Sequence, residues 1–151
     1  MLVAARADPN GKDFVARTGE MSDRMKDYMV PEGDRPALLA ACMRAYPQAY
    51  RTAPSTLPTD LFARDAVCLT SLGITIGEAQ VYGKNGGDPS LAAVYKRTLD
   101  IISDRMTDKR LSDMGLNTDA EFQRYLADQL FKALSGGNTE TIANACVASI
   151  R

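Results

Sequence analysis

Apolar side chains recur along this chain at separations of three and four, in blocks closed by proline or glycine. That spacing lays one stripe along an α-helix, which repeats about every 3.6 residues, and it lacks the strict alternation of a half-buried strand. Phe14, Met21, Met25, Tyr28 and Met29 form a first stripe between Asp13 and Met29, and Pro31 ends it. Asp34 is placed to cap a second helix with Pro36 in its first turn, carrying Leu38, Leu39, Cys42, Met43 and Tyr46 up to Pro47. Arg51 to Pro58 contains two prolines and two threonines flanking a serine and reads as an extended connection.

From Thr59 as N-cap, a long helix is expected to about Tyr82, with Leu61, Phe62, Asp65, Cys68, Leu69, Leu72, Ile76 and Ala79 on one side. Leu69 to Ile76 alone could pass for a buried strand, but a lone strand has nothing to pair with. Gly83 and Lys84-Asn85-Gly86-Gly87 read as a turn, after which Asp88 caps and Pro89 opens another helix. That helix carries Leu91, Val94, Tyr95, Leu99, Ile102 and Met106 and closes by Gly115. Thr118-Asp119-Ala120-Glu121 is a capping box, the clearest local signal in the chain. Phe122, Tyr125, Leu126, Leu130, Ala133 and Leu134 follow at helical spacing up to Gly136-Gly137. A last helix, capped by Asn138 or Thr139, presents Ile142, Ala145, Cys146 and Ile150. The expectation is an all-α single domain over residues 13–151, about six helices in an orthogonal or bundle-like array, preceded by a tail at residues 1–12.

With 151 residues the chain can bury a core without metals or staples. Its longest apolar run, Val67 to Ile76, is broken by threonine, serine and glycine and is too short to span a bilayer. The 18 basic and 19 acidic residues nearly cancel, so no global field favours nucleic acid or an anionic membrane. Asp104, Arg105, Asp108, Lys109, Arg110 and Asp113 are interleaved in sign and read as a solvated helix face. Histidine and tryptophan are both absent. A Ser-His-Asp triad, a Cys-His dyad and His-dependent zinc sites are therefore excluded within this chain.

Cys42, Cys68 and Cys146 show no CxxC spacing and no second soft ligand nearby, so no metal site or cofactor is expected of them. Each lies on an apolar helical stripe and reads either as a buried small hydrophobe or, in an oxidising compartment, as part of one disulfide beside one free thiol. Cys68 with Cys146 would close a longer loop than Cys42 with Cys68, worth about 4.5 kcal/mol by loop-closure entropy against about 3.5 kcal/mol. Spacing does not select among the three pairings. Ala5-Arg6-Ala7, just before Asp8-Pro9-Asn10-Gly11, looks like the tail of a signal-peptide cleavage site, without a basic n-region before it. A signal-peptide remnant, a late start codon and chance all stay open.

Glu78 and Asp88 superficially resemble the paired carboxylates of small helical lysozymes and define an alternative function, a carboxylate-dependent hydrolase. The helix's polar face accounts for Glu78, and the capping role accounts for Asp88, so no catalytic residue is assigned. Gly83 to Gly87 lacks Walker spacing and a preceding strand, and Asp8 to Asp13 fails as a calcium loop because Lys12 takes a ligand position. Gly73 and Gly77, with Ser71 and Thr75, suggest a small-residue groove. It is expected to receive another helix of the same chain or, alternatively, a homodimer or other protein partner. Met21, Met25, Met29 and Met43 read as ordinary core rather than an adaptable binding groove.

The succession Ala41-Cys42-Met43-Arg44-Ala45-Tyr46-Pro47, then Leu57-Pro58, Phe62-Ala63-Arg64-Asp65-Ala66-Val67-Cys68 and Ala143-Asn144-Ala145-Cys146, resembles small exported helical proteins of Gram-negative bacteria. The likeness is diffuse, covers about Leu39 to Ile150, and carries no assigned activity across. It implies a periplasmic address and a bond from Cys68 to Cys146. On this reading the chain is a non-catalytic periplasmic protein that binds a protein or an apolar ligand. The competing address is cytoplasmic, a helical scaffold with three reduced thiols.

Overall fold

The computed structural model describes residues 16–20, 23, 32–84 and 90–150. It is all-α, with no strand among the described residues. Residues 16–20 and Asp23 are helical; the rest of the stripe from Asp13 to Met29, the tail at 1–12, and the predicted cap Asp88 with Pro89 lie outside the described residues. A 3-10 turn at Glu32–Asp34 leads into α1 (Arg35–Ala45), and a second 3-10 turn, Pro47–Tyr50, comes after it. Then come α2 (Leu61–Lys84), α3 (Ser90–Arg105), α4 (Asp108–Asp113), α5 (Asp119–Ala133) and α6 (Thr139–Ser149).

The organising element is α2, about 36 Å long at 1.5 Å per residue, against which α3, α5 and α6 all pack. Asp65, Ala66, Val67 and Cys68 are consecutive and all buried, as in a helix covered around most of its circumference. Val67, Cys68 and Leu72 share the core with Tyr95 and Ile102 of α3, Leu130 of α5, Leu134 just beyond it, and Ile142, Ala143 and Cys146 of α6. Ser71 and Thr75 are buried too, at no cost in unpaired groups: Ser71 Oγ donates to the Val67 carbonyl and Thr75 Oγ1 to that of Ser71, each at 2.8 Å. Small hydroxyl residues thus let the neighbouring helices approach closely.

Several local expectations need correction. The N-cap of α2 is Asp60, not Thr59: Asp60 Oδ1 accepts from the Ala63 amide at 2.8 Å, a better anion for the helix's positive end than a hydroxyl. Gly83 and Lys84 continue α2 rather than opening the turn. The helix expected up to Gly115 is divided after Arg105, because Thr107 is extended and accepts from the Arg110 amide, starting α4 afresh. Gly115 does close α4: its φ of 73° suits glycine, Leu116 N bonds Leu111 O, and Gly115 N bonds Ser112 O, the Schellman pattern. The box Thr118 to Glu121 is present, and Asn138 rather than Thr139 caps α6, with Thr141 completing a second reciprocal box.

The stripe on α1 does not meet the core. Leu38, Leu39 and Met43 are all exposed, Cys42 is only half-buried, and Asp34 makes no side-chain cap bond. Contact with the core begins at the end of α1 and beyond it, through Tyr46, Ala49 and Leu57.

Candidate functional site

A disulfide-distance pair, a buried carboxylate and an anchored loop define the chemistry of this fold. Cys68 of α2 and Cys146 of α6 stand with sulfurs 1.97 Å and Cα atoms 5.6 Å apart, both within the core, and Cys42 is left as a free thiol on α1.

Asp65 is the second feature. It lies on the side of α2 expected to be apolar and is 2 % exposed. Arg110 Nη1 of α4 donates to Asp65 Oδ2 at 2.6 Å, and Arg105 Nη1 lies 3.8 Å from Oδ1. The Arg110 guanidinium also sits 5.1 Å from the centre of the Phe62 ring, which packs at 5.3 Å on Tyr125 of α5. The interleaved charges around α4 are therefore only partly a solvated face. Lys109 and Asp113 pair on the surface, while Arg105 and Arg110 turn inward to neutralise a buried carboxylate. Burial, and then the negative charge of Asp60, raise the Tyr125 hydroxyl above its ordinary range.

The third feature is the connection 51–58, which is held against α6 by a set of polar anchors. Asn138 Nδ2 donates to the Ala49 and Arg51 carbonyls at 3.1 and 2.9 Å. Arg51 Nη1 donates to the Gly136 carbonyl at 2.8 Å. Ser55 N donates to the Thr141 carbonyl, and the Ser55 and Thr141 hydroxyls bond each other at 2.8 Å in a buried contact. A Cβ on Gly137 would overlap both hydroxyl oxygens, so only glycine fits there. Gly137→Ala is expected to cost about 2 kcal/mol through overpacking, whereas Gly136→Ala, whose Cβ meets only the Ala133 carbonyl at 3.6 Å, is tolerated. Urea denaturation of the two variants checks this; equal stability would show that the loop yields freely.

Between this anchored loop and α6 lies a depression of about 420 Å³, broadly open to solvent. Pro54, Leu57, Pro58, Ala145 and Ala148 make its apolar surface, and Ser55, Thr59, Arg64 and Ser149 its polar margin. Arg64 is half-buried and held in place: Nε donates to the Pro58 carbonyl at 3.1 Å and Nη2 to the Thr59 carbonyl at 3.2 Å. A smaller hollow of about 220 Å³ lies over the turn between α4 and α5, beside Leu111, Leu116 and Phe122.

Of the residues singled out in the sequence, Glu78 lies exposed near the end of α2, and its proposed partner Asp88 is outside the described residues. Desolvation by its surroundings, together with the negative charge of Glu140, raises the Glu78 carboxyl above its usual value. Burial and the same Glu140 charge raise Tyr95, whose hydroxyl donates to Asn144 Oδ1 at 2.8 Å. A carboxyl whose pKa is higher in the folded state stabilises the fold below its unfolded pKa and loses that contribution as pH rises through the folded value. Glu78→Gln is therefore expected to raise Tm at pH 7 and leave it nearly unchanged at pH 4; thermal scans at both values test this, and a lower Tm at pH 7 would contradict it.

Gly73 and Gly77 are both exposed, and a Cβ on either would meet nothing within 4 Å. Among the described residues no other helix packs on them, which corrects the expected crossing. Residues two apart lie about 200° apart around a helix, so Ser71 and Thr75 turn inward while the glycines turn outward. Among the described residues no group of three or more His, Cys, Asp or Glu side chains could hold a metal ion, and no helix is long and apolar enough to cross a membrane. The sequence does not reveal the place of Arg64 beside the depression, nor the anchoring of the loop by Ser55, Asn138 and Thr141, whose partners across the loop lie more than 80 residues away. No protein-family model, curated protein or solved structure matches this chain.

Proposed function

We propose that this chain is an exported, non-catalytic binding protein that offers the depression between residues 54–59 and α6 to an apolar partner. The observation that carries this reading is the anchoring of the loop. An apolar surface whose backbone is already held by Asn138, Arg51 and the Ser55 to Thr141 pair loses little conformational entropy on binding. Its volume falls within the roughly 300 to 1,000 Å³ usual for ligand sites, but its wide mouth suits a partner covered on one face only. The periplasmic address draws its support from the Cys68 and Cys146 pair at disulfide distance, since such bonds persist in oxidising compartments and are rare in the cytosol.

Ala148 is exposed on the apolar side of the depression, and Ala148→Trp would fill it without touching the core. Fluorescence enhancement of a hydrophobic naphthalene dye by the folded protein, lost in Ala148→Trp, is the expected result. Equal enhancement in both proteins would remove the depression from consideration. Turnover of cell-wall or ester substrates that disappears on Glu78→Gln would replace the binding role by hydrolysis.

A further inference from the structure

On that reading of the depression, we infer that its occupant is an extended peptide segment whose apolar side chains flank a single carboxylate, which pairs with Arg64. The guanidinium is the reason for the carboxylate. Arg64 is half-buried, and two of its nitrogens are committed to carbonyls of its own loop. Among the described residues no carboxylate lies within ion-pair distance of it, in contrast to Arg105 and Arg110, which share Asp65. Carbonyl oxygens orient a guanidinium without neutralising it. Among the described residues the charge thus has no counter-ion, and it stands at the margin of an apolar surface where a carboxylate would meet a guanidinium of fixed geometry.

The shape of the site favours a peptide over a fatty acid. An acyl chain gains most by being enclosed, and this trough leaves one side open. The loop itself supplies what an extended peptide needs. The backbone amides of Thr56 and Leu57 have no hydrogen-bond partner among the described residues, while Ser55 N, beside them, is committed to Thr141 O. Pro54 and Pro58 bound this short stretch and keep it out of any helix. A peptide laid along it would exchange backbone hydrogen bonds with the loop and rest alternate side chains on Leu57, Ala145 and Ala148.

The test is a titration of the isotope-labelled full chain, followed by its amide resonances, with an end-capped peptide of leucine, proline and threonine carrying one central glutamate. The same peptide with glutamine in that place is the comparison. The glutamate peptide is expected to shift the amides of Leu57, Ala145, Ala148 and Ser149 and to bind at least about tenfold more tightly than the glutamine peptide, as a charge-assisted hydrogen bond would require. Arg64→Gln should abolish the difference, Arg64→Lys should keep part of it, and added salt should shrink it. Ala148→Trp, which leaves Arg64 alone, should abolish binding of both peptides. Equal binding of the two peptides, still blocked by Ala148→Trp, would overturn the carboxylate and retain the apolar depression. Binding of neither, or binding indifferent to Ala148→Trp, would overturn both, and preference for oleate over either peptide would assign the surface to a lipid acid.

Discussion

Protein refolded with Cys68 and Cys146 reduced is expected to be about 4.5 kcal/mol less stable than the oxidised protein, the loop-closure cost for two residues separated by 78 positions. The effect is large because the pair joins α2 to the last helix, α6. In the reduced chain these helices must find each other across half the sequence with no covalent help. Urea denaturation of the two forms measures it; a difference below about 1 kcal/mol would mean that core contacts already restrain the unfolded chain. The same chemistry reports on the compartment. A non-reducing peptide map of alkylated protein from its native compartment should contain Cys68 linked to Cys146, with Cys42 alkylated. Three alkylated cysteines would favour the cytosolic scaffold.

The second large effect is expected at Asp65. Its side chain is 3 % exposed and is neutralised chiefly by Arg110, whose side chain is itself only 25 % exposed. Asp65→Ala leaves that guanidinium over the Phe62 ring without its counter-ion, and a loss of about 3 kcal/mol is expected from breaking a buried pair on one side. Replacing both partners by apolar residues of similar size, Asp65→Leu with Arg110→Met, should recover most of the loss, because the desolvation penalty disappears with both charges. Denaturation of the single and double variants tests the pair. A single-variant cost below about 1 kcal/mol would class it with ordinary surface ion pairs.

Asp65 also illustrates how far the sequence can be read. Its position on the apolar side of α2 is visible from helical spacing, but its partner is not. Arg110 stands 45 residues away among interleaved charges that, taken locally, describe a solvated face. Gly73 and Gly77 depart from their expected role for a related reason. Small residues four apart do permit a close helix crossing, yet whether one occurs depends on which side the other helices occupy, and among the described residues these lie against Ser71 and Thr75. On α1 the local pattern is equally helical, but Leu38, Leu39 and Met43 are exposed rather than covered.

By itself the sequence determined the helical class, the span of α2 to within a few residues, the capping box at Thr118 and the extended connection at 51–58. These are properties of backbone hydrogen bonding and dihedral preference, which depend on neighbours within about one turn. The tertiary structure alone decided that Asn138 and Thr141 hold the loop, that Gly137 must lack a side chain, and that Arg64 edges an apolar trough. Each of these joins residues distant in sequence, and such a contact exists only once the core has placed both partners and offset the entropy of bringing them together.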